Sequence, residues 1–175
     1  MKSILTIVIA LLASVGFAAG QESPPALTSA VIGGKSLSIG YCAPSVRGRK
    51  IFGPDGLISK DPTYPVWRAG ANDATSFHTD ADLDIGGIAV PKGNYTLYVL
   101  VSDPDNWTLI ISKETGQWGL SYNKSLDLGR IKMTMSRPPK TIETYRMTLS
   151  GKGPKTGQLE LAWENHIATV PITVK

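Results

Sequence analysis

The sequence predicts an all-β protein, a single two-sheet β-sandwich or jelly roll with short turns and one long loop region. Three observations carry this. Apolar and polar residues alternate with period two, turn residues punctuate the alternation, and no long stripe of 3.6-residue period follows the N-terminal stretch. Roughly nine or ten strands of ordinary length are expected, which suits packed antiparallel sheets better than an α/β arrangement.

Lys2 supplies a positive start, Ile4 to Ala13 is apolar except for Thr6, and Gly16, Ala18 and Gly20 are small residues that a signal peptidase accepts. Residues 1–20 therefore read as a cleavable signal peptide, leaving Ala19 or Gln21 first. As an anchor, Ile4 to Ala19 is shorter than the roughly 20 residues that cross a bilayer, and no basic flank follows. The expectation is an exported chain, periplasmic or extracellular, without a membrane span once processed. Residues 21–35 read as an N-terminal lead, and 36–175 as one β-sandwich domain without internal repeat or linker.

Cys42 is the only cysteine, so no intramolecular disulfide is available, and it lies too far from the signal's end to be lipidated. The mature chain of about 155 residues must be held by one apolar core. The net charge is +4, less one unit when Lys2 departs, and the basic residues are scattered apart from Arg47, Arg49 and Lys50. A nucleic-acid partner calls for a concentrated basic stripe, so none is expected.

Taken in order, Leu37, Ile39 and Tyr41 share one face of a strand, with Ser36, Ser38 and Gly40 on the other. Gly86-Gly87 suits a two-residue hairpin turn, and Val90 to Gly93 a type I turn. Tyr95 to Val101 is apolar on both faces, as in a central strand covered on each side or a strand beneath a loop. Trp107, Leu109 and Ile111 continue the alternation. The phase of Leu126 and Leu128 is opposite to that of Ile131, Met133 and Met135, which predicts a β-bulge near Gly129-Arg130. After Pro138-Pro139 three strands follow, marked by Tyr145, Met147 and Leu149, by Leu159, Leu161 and Trp163, and by Ala168 to Val174. An outer-membrane barrel would need longer strands and aromatic girdles.

The longest stretch without strand pattern, Tyr41 to Tyr64, and the turn-rich segment Val66 to Thr75 are the candidate functional loops. The segments YCAPSVRGRKIFG, VWRAGANDAT, VPKGNYTLYVL and WTLIISKETGQWG resemble, in order and spacing, the secreted bacterial family known as domain of unknown function 2911. The resemblance covers Leu37 to about Gly119 and thins to strand pattern beyond. It implies an exported bacterial β domain and supplies no catalytic residue. Members usually carry Glu where this chain has Asp73.

Read as chemistry, Arg47, Arg49, Lys50 and Arg68 form a candidate anion site, with Asn72 and Asp73 shaping the loop. The plainer alternative pairs one arginine within the loop and leaves the others in solvent. Arg68 is expected to pair with Asp73 or with a carboxylate from another segment, and Trp67 beside it to point the opposite way. Cys42 with His78 or His166 and Asp73 has the residue types of acyl transfer, yet a lone cysteine after a strand reads first as a small buried apolar group. Asp80, Asp82 and Asp84 alternate but lack the rest of a calcium loop. Trp107 is expected in the core, and Trp118 is the exposed aromatic suited to a sugar face.

The sequence thus points to a non-catalytic exported sandwich that binds a small or polymeric ligand, anionic or carbohydrate, at the loops around Arg47 and Arg68. A hydrolase using the same loop pocket is the alternative. No cofactor and no metal are expected, since nucleophile elbow and paired-histidine motifs are missing.

Overall fold

The computed structural model describes residues 23–175. The signal peptide expected over 1–20 lies outside them. In chain order the first strands are β1 (Pro25–Ile32), β2 (Lys35–Cys42), β3 (Val66–Trp67), β4 (Thr75–Thr79), β5 (Leu83–Ile85), β6 (Ile88–Val90) and β7 (Gly93–Leu100). There follow β8 (Thr108–Ser112), β9 (Asp127–Lys132), β10 (Thr134–Ser136), β11 (Ile142–Gly151), β12 (Thr156–Glu164) and β13 (His166–Val174). One antiparallel sheet has the order β1-β2-β4-β7-β8-β9, with β3 also on β7, and the other β11-β12-β13-β5-β6, with β10 also on β13. The protein is an all-β two-sheet sandwich. Among the described residues, no helix is long and apolar enough to cross a membrane.

Alternation places Leu37, Ile39, Phe77, Leu97, Val99, Leu109 and Ile111 in the core from the first sheet. Met147, Leu149, Leu159, Leu161, Trp163, Val170 and Ile172 meet them from the second. Strand β7 is buried on both sides because Val66, Tyr98 and Ile110 form a second small cluster on the outer face, packed against Tyr122. That explains its doubly apolar sequence. The hairpin between β5 and β6 turns on Gly86 and Gly87, whose φ angles are +55° and +91°. In the β8–β9 pairing Ile111 faces Gly129 while Ser112 faces Asp127, so Leu128 is the extra residue of the bulge, one position before the expected place.

Two expectations need correction. The described part of the expected lead holds a strand, because Pro25–Ile32 pairs with β2 along its whole length. Its pattern hid it, since Leu27 and Val31 point outward and are 73% and 70% exposed. Among the described residues the strands number thirteen rather than nine or ten, and those the sequence did not mark include β1 and the very short β3 and β10, only two and three residues long.

The first sheet's edge strand β1 and the neighbouring β2 lie against β11, the edge of the second. There, β11 amides at Tyr145, Met147 and Leu149 donate to Pro44 O, Tyr41 Oη and Thr28 Oγ1, at 2.8, 3.0 and 3.1 Å. Unpaired edge amides invite pairing with other chains, and here three are satisfied within the molecule. The long loop after β2 is part of the core, with Ile51, Phe52 and Ile58 buried.

Candidate functional site

The pairing register builds a groove on the outer face of the first sheet. Directly opposed residues share a face, so two rows run across the strands. One row is Ser38 on β2, His78 on β4 and Asn94 on β7; the other is Leu27 on β1, Gly40 on β2, Ser76 on β4 and Thr96 on β7. Together with Thr115, Gly116 and Gln117 these residues line a groove of about 340 Å³. From β1 to β7 it crosses three strand spacings, about 14 Å. Gly40 keeps it open, because a Cβ there would stand 2.9 Å from Ser76 Oγ.

The far wall is a covering segment after β8. Gln117 Nε2 donates to Thr96 Oγ1 and Tyr98 Oη at 3.1 and 2.8 Å, Thr96 Oγ1 donates to Glu114 O at 2.8 Å, and Tyr98 Oη to Ser121 O at 2.6 Å. Beyond it Tyr122 Oη donates to Asp127 at 2.9 Å and accepts from Arg130 Nη2 at 2.6 Å. Burial, then the Asp127 carboxylate, pushes the Tyr122 hydroxyl up to about 12, so it remains a fixed donor.

On the floor, His78 Nε2 lies 2.9 Å from Asp80 Oδ1 and Nδ1 lies 2.8 Å from Asn94 Oδ1. Two acceptors favour the doubly protonated ring, and the bond to Asp80, then that to Asn94, raises the pKa above 6.5. The other histidine is the reverse case. His166, buried between Phe52 and Trp107, is lowered by desolvation despite Glu164 nearby, whose Oε2 at 3.5 Å from Nδ1 is too far for a good hydrogen bond.

Stability follows with opposite signs. The raised His78 contributes below the unfolded pKa and loses its contribution as pH rises through the folded one; the lowered His166 contributes above pH 6.5 and loses it as pH falls toward its folded value. A nuclear magnetic resonance titration of the two imidazoles is expected to give midpoints on opposite sides of 6.5, His78 above, with Asp80→Asn lowering it. The reverse order would refute both environments.

The residues singled out in the sequence divide into two groups. Arg68, Asn72, Asp73 and Trp118 converge: Asp73 and Trp118 form an isolated bridge, and a Cβ at Gly119 would fall 2.2 Å from Asn72 O and 2.4 Å from Arg68 Cδ. Arg68 pairs with Asp61 rather than Asp73, Nη1 donating to Oδ2 at 3.3 Å. Trp67, the neighbour of Arg68, points inward and is 1% exposed, and both residues line one cavity. Trp118 is 55% exposed, and Trp107 is fully buried.

Arg47, Arg49 and Lys50 belong elsewhere. The Arg47 amide donates to Glu143 Oε1 at 2.8 Å, Arg49 donates to Val46 O and Ser45 O at 3.0 and 2.6 Å, and Lys50 lies 3.8 Å from Asp55. None of the three lines the cavity beside Arg68. Cys42 is half-buried and shares a shallow cavity with Asp73. His78 pairs with Ser38, four positions along β2 from Cys42, or about 13 Å. That distance separates the thiol from a base. The carboxylates of Asp80, Asp82 and Asp84 turn to different partners, His78, the Lys92 amide, and for Asp84 the Gly87 amide and Lys175.

The sequence pointed to the loops and, apart from Asp73, which lines the groove, passed over it. Its floor consists of small polar residues at outward strand positions, which one strand at a time read as solvated surface. Only cross-strand register gathers them.

Fold and groove define an all-β sandwich that displays a polar, aromatic-edged face built on strands. The chain belongs to the family described as protein of unknown function (DUF2911), whose model matches residues 23–172. The match takes in β11, β12 and most of β13, where the sequence likeness had thinned. No curated protein and no solved structure matches the chain significantly.

Proposed function

We propose that this is an exported, non-catalytic binding domain whose outer-face groove takes a neutral, hydroxyl-rich ligand of the saccharide class. The observation that carries the reading is the registered array of Ser38, Ser76, His78, Asn94, Thr96 and Gln117 beside a gap kept by Gly40. The Ser38 and Ser76 hydroxyls and the Asn94 amide offer donors and acceptors that suit sugar hydroxyls, the bonded His78, Thr96 and Gln117 fix the surface around them, and rigid strands hold them. Trp118, next to Gln117, supplies an exposed ring for the apolar face of a sugar. Export is supported by the charged start, apolar stretch and small residues of the N-terminal segment.

The test is calorimetric titration with a panel of soluble neutral oligosaccharides. One member is expected to bind saturably, with Asn94→Ala or Trp118→Ala weakening it roughly tenfold, about 1.4 kcal/mol. Gly40→Val, which fills the gap from a strand position that accepts β-branched residues, should abolish it. Absence of saturable binding across the panel, or unchanged affinity in Gly40→Val, would overturn the reading.

A further inference from the structure

A second cavity lies at the end of the sandwich, apart from the groove. Its volume is about 160 Å³, and its walls include Pro44, Leu57, Ile58, Trp67 and Trp163, with Arg68 as the cation and Asp61 as the one acid. Both indoles are about 1% exposed. A cavity of roughly 150 Å³ with apolar walls accommodates benzene, so the space suits a ligand of about six heavy atoms.

Arg68 is under-used where it stands. Its side chain is 15% exposed, its link to Asp61 is a single hydrogen bond of 3.3 Å, and its Nε is buried without a partner. A guanidinium presents five donors in a planar fork matched to a carboxylate. The surrounding backbone is shaped to admit this side chain. Gly119 leaves room for its stem, and Ala69 and Asn72, which follow Arg68, adopt left-handed φ angles of 53° and 57°, conformations that non-glycine residues hold only under constraint.

We infer that this cavity binds a small aliphatic carboxylate, its head on the Arg68 guanidinium and its tail between Leu57, Ile58 and the indoles of Trp67 and Trp163. The apolar walls favour a short hydrocarbon tail over a polyol or phosphate, which would lose hydration without replacement. Asp61 does not saturate the fork. Burial raises the Asp61 carboxyl above its ordinary range despite the opposing pull of Arg68.

Tryptophan fluorescence reports directly, since two indoles form the wall. Titration of the whole protein with sodium butyrate is expected to give a saturable change that neither butyramide nor sodium chloride reproduces. Ala71, half-buried in the lining, can be enlarged without disturbing the pair, so Ala71→Leu should lower butyrate affinity at least tenfold while unfolding at the wild-type midpoint. Arg68→Gln should remove the response, and if that variant does not fold, Ala71→Leu still decides. An equal response to butyramide, no saturation, or full affinity in Ala71→Leu would overturn the inference.

Discussion

Phe52→Ala is expected to lower the free energy of unfolding by about 3–5 kcal/mol, although Phe52 belongs to the long loop rather than to a strand. Its ring is 4% exposed and lies among Trp107, His166, Trp67 and Trp163 at centroid distances of 4.7, 4.9, 5.6 and 5.8 Å. These rings are themselves locked together, Trp67 stacking on Trp163 at 5.7 Å and donating from Nε1 to Gly70 O at 2.9 Å. A rigid aromatic shell cannot collapse into the space left by a deleted ring, which places the cost at the upper end of large-to-small substitutions. The loop is pinned beside it, because the Ile51 amide donates to Glu164 Oε1 at 3.0 Å. Denaturant unfolding of Phe52→Ala beside Lys50→Ala measures the difference, the exposed lysine shifting by less than about 0.5 kcal/mol. A loss under about 1 kcal/mol for Phe52→Ala would mean that the loop is peripheral to the core.

The strands that the sequence revealed are those whose two faces differ. Tyr145, Met147 and Leu149 or Leu159, Leu161 and Trp163 alternate with polar residues because one side packs on the opposite sheet, and period two records that directly. Strand β1 escaped notice for the same physical reason in reverse. Its inner positions are the small Ala26, Thr28 and Ala30 with a large apolar residue only at the end, Ile32, while Leu27 and Val31 face outward. The candidate site divides similarly. Arg68, Asn72, Asp73 and Trp118 were legible from turn chemistry and exposed aromaticity, whereas the groove depends on which strands are neighbours. Sequence order places β2 next to β4 no more readily than next to β3. Likewise Arg68 chose Asp61 over Asp73 because a turn from Ile58 to Lys60 returns the chain to the cavity, a contact that spacing does not encode.

Asp61→Ala is expected to cost about 2–3 kcal/mol, more than the removal of one hydrogen bond, because it leaves the Arg68 guanidinium desolvated and without its counter-ion. Fully buried pairs lose about 3–5 kcal/mol when one partner is deleted. The side chains here are 15% and 23% exposed, so solvent moderates the loss without erasing it as it would for a surface pair. The stranded charge, rather than the lost attraction, dominates, and this gives the experiment its sign. Replacing both partners in Asp61→Ala/Arg68→Met removes the charge and sets an unbranched apolar chain beside Leu57, Ile58 and Trp67, so the double variant should recover most of the loss. Arg68→Lys should cost about 1–2 kcal/mol, since the ammonium keeps the charge but not the fork that reaches Asp61 from beneath Gly119. Equilibrium unfolding of the wild type, Asp61→Ala, Arg68→Met and the double variant at neutral pH closes a double-mutant cycle. Recovery in the double variant with both single changes destabilising fits a coupled pair at the cavity wall, whereas additive losses would show that Arg68 and Asp61 contribute to stability independently.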